Sequence, residues 1–537
     1  MHSSNPFKVR QGLRQLIAGA CLLGSTLLSM QLYGGSSPPW TSAASFGGSG
    51  SDIGQAVKVD GSGNRYVTGA FSATASFPLR ATEVDGAAGT AHKTLTSAGG
   101  TDIFVAKYDS SGTLSWLVQA GGSGDDSGFD IAFDAESNVY VTGMFTDSAT
   151  FHGTNGTEKV VTGVGETIFL VKYLPSGMIA WIRTGITAFD SSNNGYGVAI
   201  EPVTGSVYVA GVSQGNTTFS SANGTTHSVA GPETWHMVLV KYDTAGNFHW
   251  GESNQAEVNS VAHKVAVDSQ NNVYATGWME GQTTFYSHDG QNVTVNAFSG
   301  PIQSAPDYPC DAFIVQYDAN GNVKWGNHIG GYKAIGTDIA TSRDGKVSIT
   351  GFIGNIANSP EQAETIVTSQ PGGNNVNLGG GTLTSPFNRD VLVVTYNSAG
   401  VVLAARRFGG PQDDGGSGII YDARNNMIVA GIFQNSITIQ GQPLSGKDTY
   451  SFFVANLGCG AVSVNKDGCT GGSLLWARAA DGPGIAGFEN DPRIGATADG
   501  DVLVTGAYEP AAQFDGLKLE SAGEADGFLA LLHAGKP

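Results

Sequence analysis

RYVTG at Arg65–Gly69 returns as VYVTG at Val139–Gly143, VYVAG at Val207–Gly211, VYATG at Val273–Gly277, VSITG at Val347–Gly351, MIVAG at Met427–Gly431 and VLVTG at Val502–Gly506. The closing glycines stand 66 to 80 residues apart. A second apolar stretch follows each copy: DIFVAKY from Asp102, TIFLVKY from Thr167, HMVLVKY from His236, DAFIVQY from Asp311, DVLVVTY from Asp390, YSFFVAN from Tyr450 and DGFLALL from Asp526. Short β-branched and aromatic runs punctuated by Gly, Asn and Asp are strands joined by tight turns. Seven copies at a near-constant step make a repeat array rather than a string of unrelated domains.

Each repeat parses into four strands, a to d. Strand a is short and ends on an acid, as in QAVKVD or DIAFD, and a Gly/Asn turn leads into b, the YVTG element. Strand c is the FVAKY element, and a D-x-x-G turn such as DSSG or DTAG leads into d. Asp and Asn bond their own backbone in such turns and Gly accepts positive φ, so both turns are hairpin chemistry. Calcium loops place several carboxylates at alternate positions, and these turns carry one. Strand d holds Trp116, Trp181, Trp250, Trp325 and Trp476 at one position, with Ala404 in the fifth repeat. One Trp per repeat at fixed spacing points to packing between neighbouring sheets. The last repeat lacks a strand d, whereas WTSAASFGG from Trp40 has the form of a strand d with no strand c before it. The expected fold is an all-β, seven-bladed β-propeller of four-stranded antiparallel blades. It is closed by pairing of the N-terminal strand with the C-terminal blade, which removes an open sheet edge.

The pattern W…GG…D…G…D…NVYVTG…D-x-F-V-x-K-Y…G…W resembles the bacterial β-propeller repeat labelled SBBP, from Trp40 to the C-terminus and most closely in the first, second and fourth repeats. The resemblance implies propeller architecture and export from a bacterium. It supplies no shared enzymatic activity to carry onto particular residues.

The segment 1–36 reads as an export signal, with Lys8, Arg10 and Arg14 ahead of the apolar run Leu16–Leu32, and the propeller occupies 37–537. Two other readings of this segment stand beside cleavage: an uncleaved anchor, and lipidation at Cys21 in the lipobox-like IAGAC. With 78 Gly, 40% apolar and 14% charged residues, the chain is a turn-rich globular protein. Its 46 acids against 27 Lys and Arg, net −19, exclude counterion-releasing contact with nucleic acid and disfavour docking on anionic lipid. Cys459 and Cys469 bracket a short Gly-containing loop and are expected to form a disulfide in an oxidising compartment; Cys310 is expected to be a buried thiol.

Three groups of residues are candidates for function. Asp52, Asp126, Asp414 and Asp491 stand eight residues before the end of strand a, where they either gather a cation such as calcium or cap their own Gly-rich loops. Tyr286, His288, Asp289, Phe298 and Tyr308 lie in a long b–c connection and suit stacking on, and bonding to, a carbohydrate or protein. GVSQG around Ser213 matches a nucleophile elbow in letters only, because no helix follows the strand. The ten histidines show no zinc-ligand spacing. The sequence therefore points to an exported, non-catalytic, monomeric binding propeller whose partner is an extracellular carbohydrate or protein. A channel-sited hydrolase or lyase, and a structural part of an envelope assembly, are the alternatives.

Overall fold

The computed structural model describes residues 37–81, 91–188, 192–297, 310–330, 333–354, 366–369, 376–377, 389–458, 473–481 and 492–533. The segment 1–36 with Cys21, and Phe298, Tyr308, Asp491, Cys459 and Cys469, lie outside these residues. Every regular element among the described residues is a β-strand, so the chain is all-β with a propeller-like repeat.

The repeating unit is an antiparallel run a–b–c–d. It comprises Asp52–Val59, Arg65–Pro78, His92–Tyr108 and Leu114–Gly121 in the first unit, and Ser127–Phe133, Val139–His152, Glu158–Tyr173 and Ile179–Ile186 in the second. The third is Asn194–Ile200, Val207–Gln214, Trp235–Tyr242 and Phe248–Ala256; the fourth is Ser260–Val267, Val273–Met279, Asp311–Tyr317 and Val323–Gly330. The fifth is Lys333–Thr341, Lys346–Gly354, Arg389–Asn397 and Val402–Phe408; the sixth is Asp414–Tyr421, Met427–Ile439, Gln442–Leu457 and Leu474–Ala480. Arg493–Ala496, Val502–Tyr508 and Asp526–Leu532 form the last run, and its fourth strand is Trp40–Gly48, paired antiparallel from Trp40 opposite Leu532 to Phe46 opposite Gly527.

The repeated residues are the fastenings of this scaffold. In the a–b turn, Asp60 accepts the N–H groups of Ser62 and Asn64, the Asn64 amide and the Tyr66 hydroxyl. Asp134 and Asp268 hold their turns in the same way. The strand-d indole reaches the next unit: Trp116 Nε1 donates to Pro175 O, Trp181 to Thr244 O, Trp250 to Ala319 O and Trp325 to Ser398 O, all at 3.0–3.1 Å. Those acceptors sit in the next c–d turn. The turn glycine fits beneath the indole, since a Cβ on Gly177 or Gly321 would come within 3.0 Å of Trp116 or Trp250.

The threonine of the YVTG element binds strand c of its own unit, as Thr68 Oγ1 does to Phe104 O at 2.8 Å. Its side chain also presses on a glycine in strand a of the following unit. A Cβ on Gly128 would stand 2.5 Å from Thr68 Oγ1, on Gly195 2.4 Å from Thr142, and on Gly336 2.2 Å from Thr276. On Gly54 it would stand 2.0 Å from Thr505. Where the element reads VYVAG, Ala210 replaces the threonine and the following unit carries Ala262 in place of glycine.

Among the described residues the b–c connections contribute further short strands. Thr217–Ser220 pairs with Ile186 and Gly185 of the preceding strand d, Thr283–Phe285 with Asn254–Ala256, and Ile366–Val367 with Ile329 and Gly330. The outer ends of Arg65–Pro78 and Val139–His152 do the same. Each covers a strand edge that would otherwise present unpaired N–H and C=O groups. This pairing joins the first, second and last runs into one 14-stranded sheet.

Candidate functional site

The first strands lie side by side from unit to unit, and the last of them, Arg493–Ala496, lies against the first, Asp52–Val59. In the first six units this strand is broken near its start by a bulge, with register shifts across Gln55, Phe129, Gly195–Tyr196, His263, Thr337 and Ser417. A bulge frees one residue from the ladder and re-aims it. Gln55, Phe129, Tyr196, His263 and Thr337 accordingly line a cavity of about 210 Å³, joined by Lys264 and Arg493 from the next register position.

Polar bonds tie neighbouring units together at the level of these bulges. His263 Nδ1 donates to Gly336 O at 2.9 Å, Thr337 Oγ1 to Gly416 O at 2.7 Å and Ser417 Oγ to Pro492 O at 2.5 Å. The His263 bond to a carbonyl fixes the proton on Nδ1, and burial, outweighing that bond, pushes the ring's pKa down to about 4. One register position on, Asp130, Lys264, Asp338 and Arg493 alternate in sign. Lys264 Nζ meets Asp130 at 3.0 Å and donates to Tyr196 O at 3.1 Å. Arg493 donates to Ser417 O, and Asp338 accepts the Ile419 N–H at 2.8 Å. Burial lowers the Lys264 ammonium, and Asp130 opposes that shift.

Two tryptophans stand on one side of the mouth. Trp235 opens strand c of the third unit and is 40% exposed, the one aromatic among the exposed large apolar side chains of the described residues. Trp278 follows Gly277 in the fourth unit and packs on the cluster of Cys310, Ile335 and Phe352. Asn259 Oδ1 accepts the Trp235 N–H at 3.2 Å, and its Nδ2 donates to Glu280 at 3.0 Å, which fixes the approach of the chain to Trp235. With Ser192 from a d–a connection, these residues place the opening at the end that carries the d–a and b–c connections.

The sequence candidates fall elsewhere. Asp52, Asp126 and Asp414 are buried and do not converge with one another. Each accepts an N–H from the second glycine of its own GG pair: Gly48 at 2.9 Å, Gly122 at 2.7 Å and Gly410 at 2.5 Å. Burial pushes them up to about 7, 7 and 8. Among the described residues no three His, Cys, Asp or Glu side chains are grouped to hold a metal ion. The Tyr286 N–H bonds Ser253 O on the edge strand of the third unit, and the His288 N–H bonds Gly321 O in the c–d turn of its own unit. The exposed His288 ring pairs with Glu252 at 3.3 Å. Asp289 accepts from Ser287 and Gln291 and caps its own turn. None of the three lines the cavity. Ser213 is buried in strand b against Thr217. Cys310 is buried with its thiol directed at Ala334 O, and burial pushes it up to about 12.

The cavity residues were legible only as departures from the repeat. Of eight tryptophans, six occupy the strand-d position; Trp235 and Trp278 do not, and both face the cavity.

The family description "Beta-propeller repeat" (SBBP) matches residues 116–144, from strand d of the first unit into strand b of the second. An uncharacterised WD repeat-containing protein of Acanthamoeba polyphaga mimivirus is 25% identical over 529 residues, covering 87% of this chain and 36% of that protein. The chain thus carries a stretch similar to a propeller repeat. It spans about a third of the length of that curated relative. Solved structures similar to it include a streptogramin B lyase, at 9% identity and a TM-score of 0.28, covering 70% of this chain and 89% of that one. A polysaccharide lyase, an ulvan lyase, follows at 11% identity and a TM-score of 0.33, covering 91% and 97%.

Proposed function

We propose that this chain closes into a seven-bladed β-propeller, is exported, and binds an extracellular carbohydrate or protein at the mouth of its central channel without catalysing a reaction. Closure is supported by the Trp40–Gly48 pairing with Asp526–Leu532 and by the Thr505–Gly54 contact, which repeats between last and first units the contact made at other junctions. Export rests on the basic and then apolar character of residues 8–32. The observation that carries the binding reading is that the two tryptophans the repeat does not require face one cavity. Packing does not explain a 40% exposed indole, whereas aromatic walls with a few fixed polar groups are how ligand pockets are built. His263 gives no second, catalytic reading, because its bond to Gly336 O is the same inter-unit strut that Thr337 and Ser417 make.

The test is a glycan array together with capture of extracellular proteins, using the full chain and Trp235→Ala. Binding that depends on Trp235 is the expected result. Binding that is indifferent to Trp235 removes the cavity from the account.

A further inference from the structure

We infer that the cavity holds one uncharged sugar ring at the end of a glycan; this rests on the binding reading above and names its ligand class. Size is the first argument. At about 210 Å³ the space is below the range of about 300–1,000 Å³ that suits drug-sized ligands, so it takes a single ring and leaves the rest of a chain outside.

Charge is the second argument. Two acids and two bases share one register position, so the charges there sum to zero. Lys264 is held by Asp130 at 3.0 Å, and Arg493 is turned to the Ser417 carbonyl. His263 is neutral at physiological pH, with its proton committed to Gly336 O. An anionic sugar would enter a site whose cations are already engaged, on a chain of net charge −19. A cationic ligand would meet Lys264 and Arg493 on the wall and no carboxylate there, since Asp130 and Asp338 do not line the cavity.

Chemistry of the walls is the third. The C–H face of a pyranose is apolar and packs on an indole, while its hydroxyls both donate and accept. Trp235 and Trp278 give the indole faces. Gln55 and Ser192 give groups that donate and accept. This mixture suits a ring with alternating C–H and O–H faces better than a peptide side chain.

The experiment titrates the full chain with cellotetraose, chitotetraose and tetragalacturonate, followed by tryptophan fluorescence and calorimetry in 50 and 500 mM NaCl. At least one neutral glycan should bind, with affinity changed by less than about twofold across the salt range, because no net charge is screened. Trp235→Ala should weaken it by about tenfold or more, as loss of an aromatic anchor does. Trp278→Phe, which keeps packing on Cys310, should weaken it less while leaving thermal unfolding unchanged. Preferential, salt-sensitive binding of tetragalacturonate would overturn the neutral-ring assignment and leave the cavity reading standing. Neutral-glycan binding untouched by Trp235→Ala would overturn both. Silence of all three glycans, with a protein captured through Trp235, would overturn the sugar assignment alone.

Discussion

Replacing Asp52 by asparagine should stabilise the protein more at alkaline than at acidic pH. Asp52 opens the first strand a, is fully buried and accepts the Gly48 N–H at 2.9 Å. Asp526, from the last strand c, stands opposite. A Cβ on the intervening Gly47 would lie 2.4 Å from Asp526 Oδ1 and 2.9 Å from Asp52 Oδ2. Burial, reinforced by the charge of Asp526, pushes the Asp52 carboxyl from 3.8 up to about 7. The native state therefore keeps this proton over a pH range in which the unfolded chain has lost it. The resulting stability is fully present below about pH 4 and is lost as pH rises through 7. A shift of about 3 units corresponds to a total loss of about 4 kcal/mol, some 1.5 of which has already gone at pH 5. The asparagine variant has no such proton to lose, so its advantage over the parent should grow by about 3 kcal/mol between pH 5 and pH 9. Asparagine is tolerated at this place in the third unit, where Asn193 donates to Gly185 O at 2.8 Å. Urea denaturation of both proteins at the two pH values reads the difference directly. A gap between them that stays constant within about 0.5 kcal/mol would refute the reasoning, since it would mean that Asp52 titrates alike in both states.

Trp40→Ala should destabilise by about 3–5 kcal/mol in the same assay, because the indole is buried edge-on to Phe452 and Phe514 at 5.7 and 5.2 Å; a loss under about 1 kcal/mol would argue against the N-terminal strand as a fastening. Ala210→Thr should cost about 1–3 kcal/mol by crowding Ala262, and adding Ala262→Gly should restore most of it, as the threonine–glycine pairs of the other junctions do. A double-mutant cycle showing simple additivity would exclude that contact. Cys310 should resist thiol reagents at pH 8 until the protein unfolds, as read by mass spectrometry of its peptide, because the thiol is both buried and pushed up to about 12; labelling of the native protein would contradict its placement.

Most of the fold was legible because each unit must solve the same local problems with the same residues. Asp60 and Tyr66, Thr68 and Gly128, Trp116 and Gly177 are pairs whose spacing in the sequence reflects one contact each. The strand-d tryptophan reads as inter-sheet packing from its period alone, and the structure adds only the acceptor, a carbonyl in the next c–d turn. The b–c connections were less legible. Their edge-covering pairs are short and depend on a strand from another unit, as Thr283–Phe285 depends on Asn254–Ala256. No local period signals a partner of that kind.

The same regularity that exposes the fold hides the site. A repeat is recognised by what recurs, whereas a cavity bounded by several units takes its character from what differs at one recurring position. The bulge that follows the strand-a glycine, or Ala262 in the fourth unit, places Gln55, Phe129, Tyr196, His263 and Thr337 at one level, and no two of these share a side chain. Because the ladder on either side of the bulge bears the packing, this position varies without disturbing the sheets. Trp235 and Trp278 follow the same logic at the ends of strands, where the next residue of the motif, His236 or the preceding Gly277, is buried and fixed. With the units aligned by their recurring glycines and threonines, the interleaved positions that carry large aromatic or charged residues mark the cavity wall. Scanning the long loops for aromatics instead leads to Tyr286, which the fold spends on covering the edge of a neighbouring sheet.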